Sequence, residues 1–197
     1  MIALIDYDAG NIRSVGNALS RLGAEYELTA LPERILTADK VILPGVGNAA
    51  EAMENLRERG LCEVIKSLRV PVLGICVGLQ VLCRSSEEGP TEGLGIFDTK
   101  VKRFPDSMAE EAKVPHMGWN SIGNLESKLF KDLPGGNFVY FVHSYYPELC
   151  PDTIATCRHG DTLFSAALRW ENFYGTQFHP EKSGDVGAAI LKNFLAL

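Results

Sequence analysis

A chain of 197 residues can bury a sizeable core as one domain, and 46% hydrophobic with 22% charged residues is ordinary for a soluble globular protein. A net charge of -6 without any basic run gives no electrostatic support to a nucleic-acid partner or an anionic membrane surface. No stretch approaches the roughly 18 apolar residues of a membrane span, and Met1–Asp6 carries no basic signal region, so a cytoplasmic location is expected. The five cysteines (Cys62, Cys76, Cys83, Cys150 and Cys157) form an odd set without metal-type pairing, so reduced thiols are expected and one can be reactive while the others pack.

In chain order, Met1–Ile5 reads as a short strand covered on both faces. Asp8-Ala9-Gly10-Asn11 turns into a helix whose apolar positions Ile12, Val15, Ala18, Leu19 and Leu22 stop at Gly23. Tyr26 and Leu28 suggest a second strand, Lys40–Leu43 a third. Pro44-Gly45-Val46-Gly47 ends that strand, and Asn48 is placed to cap a helix through Met53 and Leu56. Leu61–Leu68 is amphipathic, and Val70–Ile75 reads as a fourth strand feeding a helix through Leu79 and Leu82. Such alternation implies βαβ units and a parallel sheet with helices on both faces. Beyond Gly89, strands are expected at Phe97–Phe104, Phe138–Tyr145, Thr153–Arg158, Phe164–Arg169 and Tyr174–Phe178, with turn chemistry at His159-Gly160-Asp161 and a last helix over Val186–Leu195. The expectation is therefore one α/β domain over residues 1–197, its central sheet mixed but mostly parallel, with antiparallel strands in the second half.

Gly74-Ile75-Cys76-Val77-Gly78 lies between an apolar strand and a helix, as a cysteine version of the G-x-S-x-G nucleophile elbow. The turn is tight, so small residues are needed two before and two after the nucleophile. At a helix start the dipole favours thiolate over thiol, and a free thiol with pKa of about 8.5 is little ionised at neutral pH. A buried structural cysteine between packing glycines is the competing reading; the strand-to-helix context favours catalysis.

Late in the chain, Tyr174-Gly175-Thr176-Gln177-Phe178-His179-Pro180-Glu181 places a carboxylate two residues after a histidine. Pro180 biases His179 toward extended backbone, where residues i and i+2 point the same way. Glu181 can then hold one imidazole nitrogen while the other faces a thiol, which is triad logic. A lone histidine before proline reads as a turn residue, but not beside the elbow. His116, His143 and His159 have no carboxylate two residues away.

Jointly, Gly74-Ile75-Cys76-Val77-Gly78-Leu79-Gln80 and Phe178-His179-Pro180-Glu181 resemble the signature of the triad (class I) glutamine amidotransferases. The resemblance implies a central mixed sheet flanked by helices, in agreement with the pattern above. It also implies Cys76 as nucleophile on the glutamine amide, His179 as base and acid, and Glu181 as its orienting partner, with no metal or cofactor. Gly45, Val46 and Gly47 resemble the family's oxyanion and substrate loop, with the Val77 N–H as second donor. Gln80, four residues after Cys76, falls on the same helix face and resembles a substrate-contacting residue. His143-Ser144-Tyr145 resembles the segment that holds the amino-acid end of glutamine. Gly45-Val46-Gly47 is too short for a phosphate-binding P-loop.

Within that family, Asp6–Asn11, Leu43–Gly47, Pro115–Asn120, Phe141–Tyr146 and His179–Ser183 resemble the branch of glutaminase subunits that serves imidazole glycerol phosphate synthases in histidine biosynthesis. The likeness runs end to end and implies a heterodimer with a separate (β/α)₈-barrel cyclase that receives the ammonia. It assigns His116, Met117, Trp119 and Asn120 to the partner interface, where aromatic residues and Met are enriched, together with Asn11, Tyr140 and Lys182. Burial in the core is the alternative for the Trp and Met. Departures are small: Val77 stands where leucine is more usual, and Asp8-Ala9 varies the opening turn. Three other readings stay open: a glutaminase subunit of pyridoxal phosphate synthase, a catalytically silent binding module on the same fold, and a free-standing hydrolase or peptidase.

Overall fold

The computed structural model describes residues 1–106 and 113–197. The first half alternates as the sequence pattern requires: β1 (Ile2–Ile5), α1 (Ile12–Arg21), β2 (Tyr26–Thr29), α2 (Pro32–Leu36), β3 (Lys40–Leu43), α3 (Ala49–Glu58), α4 (Leu61–Ser67), β4 (Val72–Ile75) and α5 (Val77–Leu82). Then come β5 (Cys83–Ser86), β6 (Thr91–Glu92), β7 (Phe97–Arg103), β8 (His116–Gly123), β9 (Phe138–His143), β10 (Tyr145–Pro147), β11 (Thr153–His159), β12 (Thr162–Trp170), β13 (Phe173–Thr176) and α6 (Gly184–Leu195).

Helix α1 buries Val15, Ala18 and Leu19 on one stripe. Asn48 caps α3 as expected, its side-chain oxygen accepting from the Ala50 and Glu51 N–H groups at 2.8 and 3.3 Å. Every residue of β1, β4 and β13 is buried, as strands covered on both faces must be.

Among the described residues the main sheet has nine strands in the order β2-β1-β3-β4-β13-β12-β11-β8-β9. The five from β2 to β13 pair in parallel, and β13 to β9 pair antiparallel. A second sheet, β10-β7-β5-β6, covers one end. The α/β class and the parallel-then-antiparallel division agree with the sequence reading.

Several elements differ from expectation. Helix α2 and strands β5, β6 and β8 had no clear periodic signal. The single strand expected over Phe138–Tyr145 breaks at Ser144, so β9 belongs to the main sheet and β10 to the second. Strand β8 was obscured by an inverted pattern: His116 and Ile122 point inward, while Met117 and Trp119 point out. Among the described residues no helix is long and apolar enough to cross a membrane.

Candidate active site

Three neighbouring parallel strands end at one place. Strand β3 runs into Pro44-Gly45-Val46-Gly47, β4 into Cys76 and β13 into Gln177-Phe178-His179, so the site sits where open α/β sheets carry ligands, at the carboxyl ends of the strands. The β4–β13 register pairs Gly74 with Gly175 and Ile75 with Thr176, and the Cys76 N–H donates to the Thr176 carbonyl at 2.8 Å. Residues distant in sequence are thereby delivered side by side.

Cys76 has φ 53° and ψ -108°, a left-handed conformation strained for a residue with a side chain. Its neighbours show why glycine is required around it. A Cβ on Gly78 would lie 2.0 Å from the Leu43 carbonyl oxygen, and one on Gly74 would lie 2.7 Å from the Gly78 oxygen. On the adjacent strand, a Cβ on Gly175 would meet Leu79 at 2.2 Å. The elbow therefore packs directly against β3 and β13. The Val77 N–H belongs to the first turn of α5, where backbone donors lack intrahelical acceptors.

His179 is buried, and its Nδ1 lies 2.7 Å from Glu181 Oε1, with both side chains fully inaccessible. Burial pulls the imidazole pKa down. The Cys76 sulfur and the Glu181 carboxylate outweigh it and raise the value to about 10. Nε2 has no protein hydrogen-bond acceptor and is left for the sulfur and whatever occupies the site. His179 is anchored by its own N–H, which donates to the Tyr140 carbonyl at 2.9 Å, and by Ser183 Oγ, which donates to the His179 carbonyl at 2.6 Å.

A cleft of about 270 Å³ opens over the sulfur, lined by Val46, Gly47, Cys76, Val77 and Gln80 on one side and by His143, Ser144 and Tyr145 on the other. With Cys76, these are residues that the family resemblance assigned to the catalytic and substrate site. Gly45 is buried beneath them; a Cβ there would lie 2.4 Å from the Gly78 nitrogen. Gln80 is buried rather than solvent-facing, and its Nε2 donates to the Tyr145 carbonyl at 3.1 Å and to Gln177 Oε1 at 3.0 Å.

Three residues of the site carried no signal in the sequence. Gln177 is fully buried and directs Nε2 to Cys76 Sγ at 3.6 Å. Tyr7, also buried, donates to the Pro44 carbonyl at 2.6 Å, tying the end of β1 to the glycine loop; burial and then the Cys76 charge push its phenol up. Glu88 lines the cleft half-buried. Burial raises its carboxyl pKa, opposed by the Ala49 N–H that donates to Oε2 at 2.8 Å.

The residues assigned to a partner surface separate into three places. Met117 and Trp119 are 63% and 57% exposed on one face of β8. Tyr140, opposite Trp119 in the β8–β9 register, packs edge-on against it with ring centroids 6.1 Å apart; Lys182 is exposed nearby in sequence to the triad. His116 and Asn120 occupy the other face of β8, and His116 is only 4% exposed, so strand alternation removes His116 from the surface. Asn11 joins the triad, its Nδ2 donating to Glu181 Oε1 and lying 3.4 Å from His179 Nδ1.

A nucleophile in a strained elbow, an imidazole held by a buried carboxylate and a polar cleft define a cysteine-dependent acyl-transfer site. The chain belongs to the class-I glutamine amidotransferases, whose family profile matches residues 3–197. More narrowly, it is 57% identical over 196 residues to the imidazole glycerol phosphate synthase subunit HisH of Bacteroides fragilis (strain YCH46), covering 100% of this chain and 99% of that one. The protein of the same name from Escherichia coli (strain K12) is 44% identical over 198 residues, with the same coverage of 100% and 99%. A crystal structure of a glutamine amidotransferase shares the fold with a TM-score of 0.71 at 20% identity, covering 100% of this chain and 98% of that one.

Proposed function

We propose that this chain is the glutaminase subunit of an imidazole glycerol phosphate synthase, releasing ammonia from glutamine for a separate (β/α)₈-barrel cyclase in histidine biosynthesis. The observation that carries the chemistry is the strained Cys76 beside an imidazole whose pKa is raised to about 10 by that sulfur and Glu181. Full-length identities of 44–57% to HisH proteins favour this acceptor over pyridoxal phosphate synthase.

Nε2 of His179 takes the proton of the Cys76 thiol as the sulfur attacks, and the sulfur and Glu181 favour the charged imidazole. The sulfur attacks the side-chain carbonyl carbon of glutamine, and the C–O π pair moves onto oxygen. The Val77 N–H and the peptide of the Val46-Gly47 loop meet the developing charge, each such donor being worth about 2.7–4 kcal/mol in the transition state. Nε2 of His179 then gives its proton to the amide nitrogen as the C–N bond breaks, leaving ammonia and a glutamyl thioester. Water attacks the thioester with its proton passing to Nε2, and glutamate departs as that proton returns to the sulfur. Glu181, with Asn11 against it, keeps the imidazole oriented. Glu88 offers a carboxylate for the ammonium group of glutamine, while Gln80 and His143-Ser144-Tyr145 contact its amino-acid end.

The exposed Met117, Trp119 and Tyr140 face, with Lys182 beside it, is the surface proposed for the cyclase. It spans strands β8 and β9, and β9 also anchors His179 through the Tyr140 carbonyl. Free thiols throughout and a biosynthetic partner fit a cytoplasmic location. No cofactor is required. The test is Cys76→Ala assayed in the complex. Glutamine-dependent synthesis should vanish while synthesis from added ammonia persists; glutaminase activity surviving in that variant would remove the assigned nucleophile.

A further inference from the structure

At the wall of the glutamine cleft, the lining His143 and the buried His116 behind it form a chain of hydrogen bonds whose direction is fixed at both ends. At the inner end, His143 Nδ1 lies 2.8 Å from the Tyr145 carbonyl, which only accepts, so Nδ1 carries the proton and Nε2 is an acceptor. His116 Nδ1 lies 3.0 Å from that Nε2 and must donate, leaving His116 Nε2 as an acceptor. At the outer end, Asn120 Oδ1 accepts from the Ser121 N–H at 2.8 Å, which orients the amide. Its Nδ2 then donates to the Arg158 carbonyl at 2.9 Å and to His116 Nε2 at 3.2 Å. Each donor thus meets an acceptor only while both imidazoles are neutral. Burial, with neighbouring imidazoles, holds both well down: His116 to about 3 and His143 well below its ordinary value.

The chain does not end in packing. The Tyr145 carbonyl also accepts from Gln80 Nε2 at 3.1 Å, that nitrogen reaches Gln177 Oε1 at 3.0 Å, and Gln177 Nε2 reaches Cys76 Sγ at 3.6 Å. Hydrogen bonds therefore run unbroken from Asn120 on β8 to the sulfur. Surrounded by Phe104, Phe141 and Phe164, the two imidazoles occupy a space that aromatic residues could fill without the cost of burying polar groups.

We propose that His116 and His143 are positioning residues for the glutamine site: they fix the Tyr145 carbonyl, which orients the Gln80 amide and leaves its Oε1 to accept from the substrate's N–H groups. This rests on the glutaminase reading above. It moves His116 and Asn120 from the partner surface to the support of the pocket.

The test uses His116→Phe, which keeps the ring packing and removes the donor to His143, and His116→Gln, whose amide both donates and accepts. Glutamate release is measured in the complex. Labelling of Cys76 in the full chain is followed by intact mass with 6-diazo-5-oxo-L-norleucine, a glutamine mimic, and with iodoacetamide, which needs no glutamine pocket. His116→Phe should raise KM for glutamine about fivefold, as expected for one neutral hydrogen bond, with kcat within about twofold. Labelling by the mimic should slow in parallel, with iodoacetamide labelling and Tm unchanged, and His116→Gln should recover most of the loss. An unchanged KM, a parallel loss of iodoacetamide labelling or Tm, or a His116→Gln as defective as His116→Phe overturns the proposal. If His116→Phe does not fold, Asn120→Ala at the outer end carries the test: a rise in KM of about twofold is expected, and none refutes it. Active Cys76→Ala would defeat the glutaminase reading itself; an inactive one beside an unaltered KM in His116→Phe would defeat the positioning pair alone.

Discussion

The parallel and antiparallel halves of the main sheet use their strands differently. In the parallel half the strands inside the exposed edge strand β2 are buried almost throughout, and the reacting groups are carried on the turns that leave them: Tyr7 and Asn11 after β1, the glycine loop after β3, Cys76 after β4, His179 after β13. In the antiparallel half the strands themselves carry the roles. Alternation gives β8 one face with His116 behind the cleft and another with Met117 and Trp119 in solvent. Turns at the ends of parallel strands bring reacting groups to a point, whereas a half-exposed strand can serve as pocket wall and docking face at once. The lesson is that damage in the first half should strike the chemistry and damage in the second the supply of substrate or partner.

The largest expected break of this kind is His179→Ala, which should reduce glutamine-dependent kcat by about 10²–10⁴-fold, the range for a lost general acid–base. The same imidazole gives a pH test. Its folded-state pKa of about 10 exceeds the ordinary 6.5, so the folded state binds the proton more tightly than the unfolded chain. That contribution is complete below pH 6.5 and is lost as pH rises through about 10. The gap in urea midpoint between the native chain and His179→Ala should accordingly narrow from pH 6.5 to 10; a gap that widens would mean the imidazole is held neutral. Next in size, Gly78→Ala places a methyl against the Leu43 carbonyl, and should cost about 3 kcal/mol or more in chemical denaturation by forcing β3 and the elbow apart.

Across the divide, Trp119→Ala should leave the lone chain's Tm unchanged, because the side chain packs mainly on Tyr140 at the surface. Association with the cyclase should weaken by about 2 kcal/mol, roughly 30-fold, as for a truncated hot-spot aromatic. Calorimetric titration of the two subunits checks this. A fall in Tm with unaltered affinity would make the residue part of the core, and the contrast between halves would lose its second term.

How far the sequence revealed these halves follows from the same physics. Strands buried on both faces produce apolar runs bounded by glycine and proline, so β1, β3, β4 and the elbow were legible, and with them Cys76, His179 and Glu181. Strand β8 was not, because its pattern is reversed: His116 faces inward and is satisfied by His143, while Met117 and Trp119 face out. Periodicity assumes that apolar residues mark the core, and a docking face violates it. Gln177 and Glu88 were missed because their roles depend on which strand ends become neighbours, a fact of topology that no local spacing encodes.

The smallest effect concerns Asn11, which the family resemblance assigned to the partner face and the fold brings to the triad. It stands at the N-cap of α1 in a left-handed conformation, φ 75°, yet its side chain makes no capping hydrogen bond. The amide is spent on Glu181 instead, at the expense of the cap that asparagine ordinarily supplies. Asn11→Gly separates the two demands. Glycine accepts positive φ without strain and costs little at an N-cap, so stability should stay within about 1 kcal/mol of the native chain or rise. Losing one hydrogen bond to a buried carboxylate should lower kcat about tenfold through a less firmly held imidazole, with KM for glutamine unchanged. An unchanged kcat accompanied by weaker binding of the cyclase would return Asn11 to the surface role, and would mean that the Glu181–His179 pair stays oriented without help from the end of β1.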